Sequence, residues 1–193
     1  MKNLSKLLMI TASLILGFSF LFPLWSISLN APQYPEGLGI YIYVYKLEGH
    51  KDNDLNSING LNHYIGMKII DKDAIPELKI IPFFMIFMMI FGLIIAFVKN
   101  YKFKLVWLGI FFLGGIIGMV DFYQWEYDYG HNLSPTAIIK IPGMSYQPPL
   151  IGTEQLLNFE AGSFPHIAFF IILISILLVI FSTYYEKKHE KII

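Results

Sequence analysis

Four long stretches of the chain contain no charged residue and consist mostly of apolar side chains. A helix needs about 20 such residues to cross the roughly 30 Å of hydrocarbon in a bilayer. Each stretch comes near that length, so the pattern predicts four transmembrane helices, at about residues 7–28, 80–98, 104–122 and 164–184. The third stretch has only 16 uncharged residues between Lys104 and Asp121, so we expect its helix to continue beyond the membrane.

The first apolar stretch follows a short lysine-bearing start and in this respect resembles a secretory signal sequence. A cleavable signal ends in small residues, whereas bulky residues occupy positions 20–25 of this chain. We therefore expect the first stretch to be a retained membrane anchor.

The charged residues are distributed unevenly between the segments that connect the predicted helices. If the N-terminus lies in the cytoplasm, the cytoplasmic segments carry eight lysines and two glutamates, a net charge of +6. The opposite loops, together with Asp121 at the end of the third predicted helix, carry six lysines and twelve acidic residues, a net charge of −6. The positive-inside rule then predicts a multi-pass protein of a bacterial cytoplasmic (inner) membrane. Both termini are expected in the cytoplasm, with loops 29–79 and 123–163 outside.

The first outer loop carries the pattern of a strand and then that of a helix. Residues 40–45 alternate between an aliphatic residue and tyrosine, which is typical of a strand with two different faces. Residues 54–66 carry leucine or isoleucine at helical spacing, with Asp54 as a candidate N-cap and Gly66 as a candidate stop. We predict a strand followed by a short amphipathic helix.

The second outer loop begins as a continuation of the third helix, which the pattern ends at Gly130. Residues 137–141 are mostly isoleucine and precede a Pro-Gly pair, so we predict a strand that pairs with the tyrosine-rich strand. Residues 152–159 favour a helical turn. The predicted fold class is therefore all-α membrane: a four-transmembrane-helix bundle with a small extracytoplasmic α+β cap formed by the two loops. Residues 1–193 are expected to form a single membrane domain.

Composition narrows the classes of function. The 193 residues suffice for one domain, and 55% of them are hydrophobic, more than a soluble domain of this size uses. The chain has no arginine and no net charge, which argues against nucleic-acid binding. It has no cysteine for disulfides or thiolate metal sites. It also lacks a phosphate loop, a zinc-protease signature and a serine nucleophile elbow, so we expect no enzymatic activity.

Histidine and methionine concentrate on the predicted outer side. Imidazole and thioether are the ligands that suit Cu(I) in a protein without cysteine, so these residues predict a copper site. Asp121, Glu126 and Asp128 are placed to orient the imidazoles by accepting hydrogen bonds. Loop histidines are also commonly ordinary surface residues, and this simpler interpretation stays open. The candidate ligands are His50, His63, His131 and His166, with Met67 and Met144.

Three segments of the outer loops resemble those of a family of four-span membrane proteins encoded near nitrous oxide reductase maturation genes. They read Ala-Pro-Gln-Tyr-Pro-x-Gly-Leu at 31–38, Leu-Asn-His-Tyr-Ile-Gly-Met at 61–67 and Asp-x-x-x-Trp-x-Tyr-x-Tyr-Gly-His at 121–131. With the hydropathy pattern, the resemblance covers nearly the whole chain. It implies a part in assembling or serving a periplasmic multicopper reductase, by handling copper or by passing electrons toward it.

The resemblance and the ligand chemistry together give one set of predicted metal ligands: His63, Met67, His131 and His166. The first three match positions of the family, and His166 follows from ligand chemistry alone. The first functional hypothesis is an accessory protein of a periplasmic metalloenzyme system that handles copper or matures a nitrous oxide reductase. The alternatives are a scaffold subunit of a membrane complex, or a quinol- or haem-linked electron-transfer subunit. Each implies contact with the lipid bilayer and with a periplasmic or membrane protein partner.

Overall fold

The computed structural model describes residues 2–71, 75–156 and 158–190 of the chain. This part of the chain forms five α-helices and five β-strands. The helices are α1 (Lys2–Gly17), α2 (Asp54–Ile65), α3 (Glu77–Ile95), α4 (Tyr101–His131) and α5 (Ile167–Glu190). The strands are β1 (Trp25–Ala31), β2 (Tyr34–Ile42), β3 (Leu47–Gly49), β4 (Gly152–Leu156) and β5 (Phe159–Pro165).

The predicted all-α fold class is wrong, because the strands form one five-stranded antiparallel sheet and the protein is α+β. The strand order is β3-β2-β1-β5-β4. In the central strand, Trp25 pairs with Ile42 of β2 on one side and with Pro165 of β5 on the other. The strand β1 follows the first apolar helix, and β5 precedes the last one. The sheet therefore joins the two loops close to the ends of these helices.

The central strand, β1, begins within residues 7–28, the range predicted as the first transmembrane helix. The helix α1 ends at Gly17, and a 3-10 turn over Phe18–Phe20 follows it. From Trp25 onward the sequence Trp-Ser-Ile-Ser-Leu-Asn alternates with a period of two, which places its apolar side chains on one face of the sheet. An uncharged stretch does not by itself distinguish a helix from a strand. The hydropathy pattern therefore predicted one helix where the chain forms a helix and the start of a strand.

Two predictions in the second loop are also wrong. The predicted helical turn at 152–159 is the hairpin of β4 and β5, in which Leu156 pairs with Phe159; Leu157 lies outside the described residues. The predicted strand at 137–141 is a loop segment, tied to α2 by a hydrogen bond from the Ile139 N–H to the Tyr64 carbonyl (2.9 Å). The strand β2 therefore pairs with β1 and β3 instead.

The helix predicted in the first loop is confirmed as α2. Gly66 ends it in the left-handed conformation, with φ of 82°, which glycine adopts without steric strain. The N-cap is Asn53, one residue earlier than expected. Asp54 is buried, and its Oδ2 accepts hydrogen bonds from the backbone N–H groups of Gly39 (3.1 Å) and Lys51 (3.3 Å). This carboxylate therefore fastens α2 to β2.

Within the described residues, four helical segments are long and apolar enough to cross a membrane: Asn3–Phe20, Glu77–Ile95, Tyr101–His131 and Ile167–Lys188. The 31 residues of α4 span about 46 Å at 1.5 Å per residue, which exceeds the thickness of the hydrocarbon. The predicted continuation of this helix is confirmed, and its last turns pack against the sheet. We call the sheet, α2, their connections and this end of α4 the head, which comprises residues 25–71, 121–156 and 158–165.

The apolar helices α1, α3, α4 and α5 form a bundle that buries a cluster of charged and hydroxyl groups at the end away from the head. Lys104 of α4 is 1% exposed and forms an ion pair with Glu186 of α5. Its Nζ also donates hydrogen bonds to the hydroxyl oxygens of Ser5 (2.5 Å) and Ser182 (2.8 Å). The cluster therefore links α1, α4 and α5.

Candidate binding cavity in the head

The four predicted metal ligands lie on different elements and have different surroundings. His63 is exposed on α2, and Met67 is half-buried just after that helix. His131 is exposed at the end of α4, where its Nδ1 donates to the Tyr127 carbonyl (3.1 Å). His166 is half-buried just before α5. The structure therefore places these residues in four separate contexts.

No three histidine, aspartate or glutamate side chains within the described residues lie close enough together to hold a metal ion. His63, His131 and His166 consequently share no common centre. Asp128, which was expected to orient an imidazole, pairs with Lys68 instead (2.5 Å). Copper binding stays a prediction.

A cavity of about 60 Å³ lies inside the head, between the sheet, α2 and α4. A single buried water needs roughly 10–15 Å³ by this kind of measure, so the cavity has room for several atoms. Most of its wall is apolar and includes Ile27, Ile40 and Ile58. Of the predicted metal ligands, Met67 lines it.

Two buried side chains in the wall of this cavity have oxygen atoms without a hydrogen-bond partner among the described residues. Glu126 of α4 is 0% exposed, and both of its carboxylate oxygens are unpartnered. Tyr146, in the segment before β4, is 2% exposed, and its hydroxyl is unpartnered. An unsatisfied buried polar group costs about 1–3 kcal/mol, and native proteins keep few of them, often at functional sites. The pair therefore marks the cavity as the candidate site.

Three further residues with polar groups line the cavity: Asn62, Trp125 and Tyr129, whose hydroxyl donates to the Ile69 carbonyl (3.1 Å). The side-chain amide of Asn62 donates to the Lys68 carbonyl (3.2 Å). Trp125 stacks on Tyr129, with 4.5 Å between ring centroids, and its buried indole N–H has no hydrogen-bond partner among the described residues. This N–H is therefore not bonded to the oxygens of Glu126 and Tyr146.

Tyr146 reaches the cavity because its segment crosses α4 at Gly130. The Tyr146 N–H donates to the Gly130 carbonyl (2.9 Å). A Cβ atom at position 130 would lie 2.4 Å from backbone atoms of Gln147, which is far below contact distance. The close crossing therefore depends on glycine at this position.

A comparison with known protein families finds no family model that matches the chain, and a comparison with curated proteins finds none that is similar. The resemblance of the loop segments to four-span proteins encoded near nitrous oxide reductase genes stays a prediction.

Tyr146 was not among the predicted site residues, and Glu126 was predicted to have a different role. Glu126 was expected to orient a histidine, yet it lies in the cavity wall without a partner among the described residues. A signal for it does exist: helical spacing puts Glu126 on the same face of α4 as Phe122 and Tyr129, so a lone acid interrupts an aromatic face. Tyr146 lies in an irregular segment whose position no periodic pattern predicts.

A second group of aromatic and polar side chains lies on the opposite face of the sheet. The ring of His50 packs on Tyr41 with 4.0 Å between centroids, and its Nε2 lies 3.0 Å from the Ser26 hydroxyl oxygen. The ring of His166 packs edge-on against Tyr41 at 5.1 Å, and its buried Nδ1 has no partner among the described residues. Two imidazoles supply too few ligands for a closed metal site.

The stability of the head is expected to fall in mildly acidic solution because of His50. Burial lowers the pKa of His50 from its usual value, and the nearby charge of Asp54 partly opposes this. The folded protein thus binds this proton less readily than the unfolded chain. The contribution of His50 is complete above about pH 6.5 and is lost as the pH falls below that value.

Thermal unfolding in detergent micelles between about pH 7.5 and 5.5 tests this expectation. The Tm of the wild type should fall more steeply than that of His50→Gln. His63→Gln, at an exposed position on α2, should keep the wild-type dependence. Parallel curves for the wild type and His50→Gln would contradict the assignment.

Proposed function

We propose that this chain is a membrane-anchored binding protein without catalytic activity, whose head holds part of a small amphipathic molecule. The observation that carries the proposal is the pair Glu126 and Tyr146, which line a mainly apolar cavity and have no hydrogen-bond partner among the described residues. An apolar cavity with a few polar groups in its wall is typical of small-molecule sites. A ligand with an apolar body and one polar group satisfies both parts of the wall.

The proposal places the head on the outer side of a bacterial cytoplasmic membrane. Its support is the charge distribution: +6 on the segments at the end of the bundle away from the head, against −6 on the two loops together with Asp121. Lys72, Asp73 and Lys191 enter these sums and lie outside the described residues. A binding site on this side is exposed to molecules of the periplasm.

A role in copper handling or nitrous oxide reductase maturation gains no support from the positions of His63, His131 and His166, which do not come together within the described residues. The cavity suggests a different role beside a partner protein, in which the head holds a small molecule close to the membrane surface. The lipid bilayer remains the environment of the four apolar helices.

Filling the cavity is expected to abolish binding. Ala31 lines the cavity and is 7% exposed, and Ala31→Leu adds three carbon atoms to the wall. The probes are n-butylamine, n-butanol and butyrate, which share one chain length and differ in the polar group. Saturation-transfer NMR on purified protein in micelles should show at least one probe bound to the wild type and none bound to Ala31→Leu.

Asn30→Leu is the matched control, because Asn30 is the exposed neighbour of Ala31 on the opposite face of β1. It should bind the probes as the wild type does. Leu61→Phe, which fills the cavity from α2, replaces Ala31→Leu if that variant does not fold. The proposal fails if no probe binds the wild type above the level of empty micelles, or if the filled variants bind equally well.

A further inference from the structure

The polar part of the cavity wall offers mainly hydrogen-bond acceptors, beside one donor without a partner among the described residues, the indole N–H of Trp125. Three oxygen atoms without partners among the described residues belong to it: Oε1 and Oε2 of Glu126 and the hydroxyl oxygen of Tyr146. An ionised carboxylate accepts hydrogen bonds and donates none, while a tyrosine hydroxyl can accept as well as donate. The wall thus favours a ligand group that is rich in donors.

Among the described residues that line the cavity there is no lysine, arginine or histidine to balance the charge of Glu126. An unpaired carboxylate in apolar surroundings is costly, so it is neutralised either by a proton or by a cation. A cationic ligand supplies this charge and the hydrogen bonds together.

We propose that the ligand of the cavity carries a primary ammonium group on a short apolar body. The inference rests on the proposed function and specifies its ligand. An ammonium group has three N–H donors and no acceptor, which matches the three unpartnered oxygens of Glu126 and Tyr146. The apolar body lies against the isoleucine side chains of the sheet and α2.

Other polar groups match this wall less well. An alcohol has one donor and leaves oxygen atoms unsatisfied, and a carboxylate adds a second negative charge beside Glu126. A quaternary ammonium group has no N–H donor. A hard metal ion such as Ca²⁺ or Mg²⁺ prefers six or more oxygen ligands, whereas the unpartnered oxygens of this wall number three.

A primary ammonium group occurs both in free amines and in the headgroup of phosphatidylethanolamine. The structure favours a free amine, because the phosphate that accompanies the lipid ammonium would enter a mainly apolar cavity next to Glu126. Binding of n-butylamine to protein in nanodiscs distinguishes the two sources. Nanodiscs of phosphatidylethanolamine should leave the affinity as it is in phosphatidylcholine; a loss of affinity would assign the site to the lipid headgroup.

The test compares the three four-carbon probes on one protein. The wild type should bind n-butylamine at least about tenfold more tightly than n-butanol, since a hydrogen bond to a charged group contributes roughly 1.5–3 kcal/mol, and should not bind butyrate. Equal affinity for the amine and the alcohol overturns the ammonium assignment and leaves the proposed function intact. Absence of binding by all three overturns both.

Substitutions in the cavity wall show which residue causes the preference for n-butylamine over n-butanol. Glu126→Gln keeps the shape of the side chain and removes the charge, so the preference for the amine should disappear while n-butanol still binds. Glu160→Gln, at an exposed position on β5, is the control and should keep the preference. Tyr146→Phe removes one oxygen and should weaken n-butylamine binding about threefold or more; this variant carries the test if Glu126→Gln does not fold. An unchanged preference in Glu126→Gln, or an unchanged affinity for n-butylamine in Tyr146→Phe, contradicts the proposal.

Discussion

The free energy of unfolding is expected to fall by about 3 kcal/mol when Lys104 is replaced by methionine, because breaking a buried ion pair leaves the other charge without compensation. The Lys104 ammonium is 1% exposed, pairs with Glu186 and donates to the hydroxyls of Ser5 and Ser182. Methionine has a similar length and keeps the apolar contacts of the lysine stem. A lower Tm of the purified protein in micelles, with loss of α1–α5 contact, is the expected result.

Two controls separate the charge from the packing. Lys102→Met lies two residues away at an exposed position and should change the Tm little. The double variant Lys104→Met with Glu186→Leu removes both charges, so it should recover most of the lost stability, as apolar replacements of buried ion pairs do. A double variant as unstable as Lys104→Met would mean that the pair itself contributes little.

Gly130→Ala is expected to destabilise the head by about 2–3 kcal/mol, the usual cost of forcing extra atoms into a packed site. The added Cβ would lie 2.4 Å from the backbone of Gln147, and backbone atoms cannot rotate away as a side chain does. The crossing segment must therefore move off α4, and the hydrogen bond from Tyr146 to Gly130 should break. Binding of n-butylamine should weaken together with the Tm, since Tyr146 leaves the cavity wall.

The same substitution at Gly118 provides the control within the same helix. A Cβ there meets no atom within 4 Å, and alanine favours the helical conformation over glycine by about 1 kcal/mol. Gly118→Ala should therefore leave the Tm unchanged or raise it. If both variants behave alike, the crossing at Gly130 is looser than the structure shows.

The helical part of the fold was predictable where length or periodicity carried the signal. The apolar runs marked the helices of the bundle, and the spacing of leucine and isoleucine marked α2 with its stop at Gly66. The strand β1 was not recognised, because its alternation begins inside an uncharged run that hydropathy alone predicts as one long helix. The strand at 159–165 pairs with β1, and the strand at 152–156 pairs in turn with 159–165, so that one omission concealed most of the sheet.

The candidate site was less accessible to sequence reasoning. Histidine and methionine drew attention through their ligand chemistry, but the sequence carries no information on whether distant side chains meet. Glu126 and Tyr146 are brought together by the crossing at Gly130, a tertiary contact between an aperiodic segment and a helix end. Only Glu126 left a trace, as an acid on an aromatic helix face.

The central position of β1 in the sheet affects the order in which the strands can pair during synthesis. The strand follows the first helix, yet its partner β5 immediately precedes the last one. During synthesis β1 can pair early with β2, while its other edge stays open until residues 159–165 leave the ribosome and the final helix enters the membrane. Unpaired strand edges are prone to wrong association. Biogenesis of the head therefore depends on completing the membrane insertion of the chain, and a translation product that stops short of β5 has an open sheet.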